Sequence, residues 1–180
     1  MHDSNWRGAH QAPRRWPVLI VSAWVLALLL PSSQAEASTA GQLSASLDGR
    51  PIALRDVGHY ACHDRNYPLI RCFRTAAQLE ADEQAPGTAS AATAQQLLSP
   101  FVRWYQYANY GGAFFEAYDP YPDLSVIGWA KQISSFTPLN GGHPVWWQGP
   151  SYTGFMWDWG TSSEATLGNA DDQIVSAGKK

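Results

Sequence analysis

The sequence predicts a mainly β protein: a sandwich built from one supersecondary unit used twice, preceded by a small disulfide-closed segment with a short helix. The first observation is a repeated phrase. Trp104-Tyr105-Gln106 runs on through Tyr110 to Gly112, and Trp146-Trp147-Gln148 runs on through Tyr152 to Gly154, an offset of 42 residues. A repeat of that length is one folding unit used again. The second is texture. From Phe101 onward, short aromatic and β-branched runs are split by Gly, Pro, Asn and Asp, as in an all-β domain. The third is composition: charged residues are 15% of the chain, against about 25% in ordinary domains, while aromatics are plentiful.

Residues 1–37 carry the pattern of an export signal. Arg14 and Arg15 supply positive charge, Val18 to Leu30 is uncharged and apolar, and Ala35-Glu36-Ala37 gives a small-x-small site before Ser38. The apolar run is shorter than the roughly 18–20 residues a membrane anchor needs. The mature protein is therefore expected to be secreted, extracellular and free of the membrane. In an oxidising compartment the two cysteines, Cys62 and Cys72, are most simply a disulfide; their spacing is not that of a redox pair.

Residues 38–84 form the small segment. Asp48-Gly49 signals a turn, and Pro51 to Val57 reads as a short strand. Cys62 to Pro68 reads as a polar loop closed by Cys72, with His59 and His63 as solvated loop residues beside Asp64. A zinc site there lacks a third ligand. Thr75-Ala76-Ala77-Gln78 has capping-box spacing, so a helix should run to about Glu83. Residues 85–98 read as a linker. The segment has too few apolar residues to fold alone.

Residues 99–180 carry the β domain. Phe155, Trp157 and Trp159 alternate with Met156 and Asp158, the period of a half-buried strand. Asn140-Gly141-Gly142 is a turn leading into the second unit.

The spacing aromatic, four residues, aromatic, one residue, Gly resembles the hairpin signature of the βγ-crystallin superfamily. Tyr105, Tyr110 and Gly112 carry it in the first unit, and Trp147, Tyr152 and Gly154 in the second. Ile133-Ser134-Ser135-Phe136 resembles that family's later serine strand. The resemblance implies two Greek-key units in one sandwich, with positive φ at the two glycines. It also implies a calcium motif in each unit. The first copy, Ala130-Lys131-Gln132-Ile133-Ser134-Ser135, has lost both acidic or amide positions; the second, Asp171-Asp172-Gln173-Ile174-Val175-Ser176, has lost a hydroxyl. What remains is one mixed site using Asp171, Asp172 and Ser134. No cofactor is required, and Ca2+ is expected to bind weakly at most.

A net charge of −3 argues against a nucleic-acid binder. The chain has no G-x-S-x-G elbow, His-Glu-x-x-His or phosphate loop, so the reading is not an enzyme. It is a secreted βγ-crystallin-like binding or structural protein, its partner an extracellular protein or carbohydrate. The alternative is a peptidase (metallopeptidase) inhibitor of the crystallin fold, presenting Asp119-Pro120-Tyr121-Pro122 as a stiff loop.

Overall fold

The computed structural model describes residues 42–85 and 99–180. The expected signal peptide, 1–37, and nearly all of the expected linker lie outside the described residues. The first described part is an arm of four strands and a helix: β1 (Ser44–Leu47), β2 (Arg50–Ile52), β3 (Ala61–Asn66), β4 (Leu69–Phe73) and α1 (Ala76–Glu83). The second holds β5 (Val102–Tyr107), β6 (Gly111–Ala117), β7 (Ser135–Pro138), β8 (Pro144–Gly149), β9 (Thr153–Asp158) and β10 (Ser176–Lys179).

The strands form two sheets, ordered β2-β1-β4-β3-β6-β5-β7 and β10-β8-β9. β5, β6 and β7 come from the first repeat, and β8, β9 and β10 from the second. Each repeat also sends a crossover to the other's sheet. Tyr121 exchanges both backbone bonds with Ala177 on β10, and Glu164 does the same with Phe136 on β7. That exchange makes each unit a Greek key, because the connection returns to a sheet its own hairpin does not occupy.

The two hairpins share one unusual backbone. In the first, Asn109, Tyr110 and Gly112 have φ of 56°, 62° and 80°; in the second, Ser151, Tyr152 and Gly154 have 53°, 61° and 81°. Left-handed backbone costs a non-glycine residue about 1–2 kcal/mol. A serine hydroxyl meets that cost in each unit. Ser135 Oγ accepts from Tyr110 N–H at 3.0 Å and donates to the Tyr107 carbonyl at 2.6 Å. Ser176 Oγ accepts from Tyr152 N–H at 3.2 Å and donates to the Gly149 carbonyl at 2.7 Å. The aromatic two residues before the bend closes the turn from outside: Tyr105 meets Tyr110 edge-on at 5.5 Å, and Trp147 meets Tyr152 at 5.1 Å.

The core lies between the sheets. Trp104 stacks on Phe115 at 5.0 Å and meets Trp146, its counterpart in the other repeat, edge-on at 5.9 Å. Ile133 and Ile174, which precede the two serine strands, are fully buried beside them.

The arm corrects two expectations. Pro51–Val57 is not one strand: β2 ends at Ile52, and a 3-10 turn runs from Leu54 to His59. Cys62–Pro68 is not a loop either. It is most of β3 and its turn, and Cys62 lies directly opposite Cys72 on β4, joined to it as a cross-strand disulfide. Polar His63 and Asp64 hid the alternation that marks this strand. β3 also runs parallel beside β6, with Ala61 opposite Phe114 and Cys62 opposite Phe115, so the arm extends the first sheet. The capping box forms as read: Gln78 N–H reaches Thr75 Oγ1, and the Gln78 side chain accepts from Thr75 N–H.

Replacing either conserved-geometry glycine by valine, Gly112→Val or Gly154→Val, should cost roughly 1–3 kcal/mol, since a β-branched residue resists positive φ. At Gly112 a Cβ would also meet the Tyr107 ring at 2.7 Å. Denaturant melts check this, and unchanged midpoints in both variants would contradict the hairpin geometry.

Candidate functional site

The first sheet has two working faces. Its inner face carries the sandwich core; its outer face is covered in part by α1, with Ala61, Phe73, Leu79 and Phe114 forming a second, small core. Across that outer face runs a row of ionisable side chains. Arg71 on β4 lies opposite His63 on β3, His63 opposite Glu116 on β6, and Glu116 opposite Arg103 on β5. Glu116 and Arg103 set opposite charges on facing strands, a pairing that stabilises a sheet. Both arginines also lie over rings of the neighbouring row, Arg103 over Phe114 at 4.5 Å and Arg71 over Phe73 at 5.6 Å.

The last turn of α1 docks on this row. Asp82 takes Arg71 at 2.6 Å and faces His63 Nε2 at 3.5 Å. His63 is buried, not solvated, which corrects the sequence expectation; Nδ1 accepts from Arg65 N–H at 3.3 Å. Burial lowers the pKa of His63 below its usual value, with Asp82 acting the other way. Glu83 is pushed up to about 7, by burial first and then by the neighbouring Glu116 carboxyl.

On the inner side of the same strand, Asp64 is wholly buried. It accepts from Tyr118 N–H at 2.7 Å, Asp119 N–H at 3.4 Å and the Tyr121 hydroxyl at 2.9 Å. So the arm holds the crossover of the first Greek key through one carboxyl. Burial raises Asp64 to about 7, against those hydrogen bonds. The contact also changes the reading of Asp119-Pro120-Tyr121-Pro122. Tyr121 is buried against Trp104 and Phe115, so the segment is a pinned crossover that shows solvent only its two prolines and part of Asp119.

Beyond the N-terminal end of α1 the outer face is open. A groove of about 550 Å3 runs over Ala61, Gly112 and Phe114, flanked by Tyr105, Tyr110, His59, Arg74 and Arg103. No carboxylate lines it. Arg103 is held in place there, donating through Nε at 2.8 Å and through Nη2 to one Glu116 oxygen. The sequence marked Tyr105, Tyr110 and Gly112 as hairpin residues; their second surface became visible only when the arm was placed beside β6.

The degenerate calcium motifs do converge. Ser134 and Asp172, from different units, line one hollow of about 250 Å3 with Gln106 and Gln132. Lys131 lines the same hollow, and both Lys131 and Asp172 stand at positive φ, 59° and 53°. Asp171 is not part of its lining. One carboxylate and one hydroxyl beside an ammonium group fit poorly to an ion that takes six to eight oxygens. Among the described residues no three His, Cys, Asp or Glu side chains group to hold a metal. His143 pairs with Asp158 at 2.6 Å, and Lys180 joins the same carboxylate at 2.5 Å. Hydrogen bonds from Lys180, His143 and the Gly160 N–H hold Asp158 below the usual carboxylate range.

No family model matches the chain, and no curated protein matches it. Solved βγ-crystallin domains are similar to it in structure. One from an archaeon is 25% identical with a TM-score of 0.41, covering 46% of this chain and 99% of its own. One from Ciona intestinalis is 18% identical with a TM-score of 0.41, covering 44% and 98%. One from Clostridium beijerinckii is 24% identical with a TM-score of 0.39, covering 43% and 94%. The exchanged crossovers and serine-held hairpins give residues 99–180 the architecture of two Greek keys in one sandwich.

The buried carboxyl gives a signed pH dependence. A carboxyl whose pKa is raised in the folded state binds its proton more tightly there than when unfolded. Its contribution is therefore fully present below about pH 4 and is lost as pH rises toward about 7. Asp64→Asn, which keeps an acceptor for Tyr121, should flatten the fall in unfolding free energy over that window. Denaturant melts at a series of pH values check it; an equally steep fall in the variant would contradict the assignment.

Proposed function

We propose that this protein is an exported, non-catalytic binding module that takes a carboxylate-bearing saccharide in the outer-face groove. The observation that carries the reading is the groove's chemistry: tyrosine rings, an imidazole and two guanidinium groups, Arg74 paired with Asp48 and Arg103 with Glu116, in a volume typical of small-ligand sites. Aromatic faces pack against sugar rings, and a guanidinium fork pairs with a carboxylate. Arg103 is preorganised by Glu116 and Phe114, which lowers the entropy lost on binding. The Cys62–Cys72 bond suits an oxidising compartment. The non-catalytic part rests on where the acid–base groups lie. His63 and Asp64 are sealed inside the fold, His143 is engaged with Asp158, and no carboxylate lines the groove beside its one imidazole, His59.

Titration calorimetry with uronic-acid oligosaccharides against their neutral counterparts tests the reading. Tyr110→Ala and Arg74→Ala should each weaken binding about tenfold or more, a loss of roughly 1.4 kcal/mol. Tyr110→Ala leaves the backbone N–H that Ser135 holds, so the fold should stand. No binding of either sugar class, or equal binding by the variants, would overturn it.

Calcium has at most a minor part in this proposal. Any affinity depends on Asp172, and Lys131 opposes it by Coulomb repulsion. Calorimetric titration with Ca2+ should show no sub-micromolar site, and Lys131→Asp should strengthen what binding there is. Two tight sites in the unaltered protein would contradict this account.

A further inference from the structure

The two sheets have four edges, and they are not treated alike. β2 is three residues long and contains Pro51. β7 is bridged by Glu164, and β10 is bridged by Tyr121 and carries Lys179. Short length, proline, charge and cover are the means by which edge strands avoid pairing with other chains. β9 lacks short length, proline and cover, and has little charge. It is six residues long, has neither proline nor lysine, and keeps its one charge at the last position, Asp158. Among the described residues its backbone pairs only with β8.

The internal repeat sharpens the contrast. β9 is the counterpart of β6, and the outer edge of β6 is covered by β3. With that cover Phe114 is buried. Without it, its counterpart Met156 is 46% exposed, and Phe155, which stands where the first repeat has Ala113, is 60% exposed. The alternation in the sequence predicted a half-buried strand; the strand formed, and Trp157 and Trp159 reach the core while Phe155 does not.

We infer that the free edge of β9 is a homodimer interface, pairing antiparallel with β9 of a second copy of this chain. A two-fold contact must be self-complementary, and this strand is. A two-fold axis permits registers centred on Phe155 or on Met156. In the first, Phe155 faces Phe155 of the second copy; in the second it faces Trp157. Asp158 falls opposite Tyr152 or Gly154, so the carboxylates never oppose each other in either register. Within its own chain that charge is already engaged by His143 and Lys180. The paired strands would join two three-stranded sheets into one of six and cover the exposed Phe155 and Met156. The contact is small beside the roughly 800 Å2 per partner of a standard interface, so the dimer is concentration-dependent.

Sedimentation velocity on protein produced from the full-length chain tests this. The mass should rise from monomer toward dimer with concentration. Phe155→Lys and Met156→Lys place a charge on opposite faces of the strand, and each should raise the dissociation constant at least about tenfold. Both sites are exposed, so the thermal midpoint of the dilute protein should not move. Amide exchange read at low and high concentration supplies a check that needs no variant, since β9 amides should gain protection as dimer forms. Monomer at every concentration overturns the inference. So does a dimer insensitive to both substitutions, or one whose exchange protection falls elsewhere. Binding of an apolar peptide strand to β9 without self-association would assign the edge to a different occupant and equally overturn it.

Discussion

Two serine hydroxyls hold this structure in shape. Each hairpin bends back over its sheet through left-handed residues, a conformation that nothing local favours for tyrosine or serine. Ser135 and Ser176 each bridge the two sides of a bend, taking an N–H from one and giving a proton to a carbonyl on the other. Each serine sits at the start of the last strand of its own unit, so the bond also fixes where that strand lies. A hydrogen bond buried at such a junction is worth about a kcal/mol net, but leaving its partners unpaired costs more. The constraint is thus mainly one of geometry, with the energy set by what its loss would expose.

From that constraint the sandwich follows. Once each hairpin is folded over, its inward tryptophan, Trp104 or Trp146, points to the same central layer, and the two meet edge to face. The crossovers then pass to opposite sheets and close the Greek keys. The arm is a second layer of organisation. It adds strands to one side only, and it is secured by Asp64 on the inner face and by the Arg71–His63–Glu116–Arg103 row on the outer. The asymmetry has two results. On the covered side it builds the groove; on the other it leaves β9 with an open edge.

The repeat was legible because its spacing is strict and its glycines and aromatics are few in kind. Trp104/Trp146, Tyr110/Tyr152 and Gly112/Gly154 fall on equivalent positions of the two hairpins. The capping box at Thr75 was legible for the same reason, since it is a local pattern. The arm's strands were not. Cys62-His63-Asp64-Arg65 reads as polar loop because a strand buried on both faces by ion pairs and a disulfide does not alternate in hydrophobicity. The site depends on contacts far apart in sequence: Asp64 meets Tyr121 across 57 residues. No local pattern announces such a pair. The proline segment misled for a related reason, as two prolines make a stiff loop whether it is free or pinned.

Amide hydrogen exchange at Tyr110 and Tyr152 tests the central claim most directly, because these N–H groups lie near the surface and have only the serine hydroxyls to protect them. The account predicts that both exchange only when the whole domain unfolds, as slowly as the amides of the core strands. In Ser135→Ala, Tyr110 should lose its protection while Tyr152 keeps it. Rapid exchange of both amides in the intact, unaltered protein would contradict the claim that the hydroxyls hold the hairpins closed.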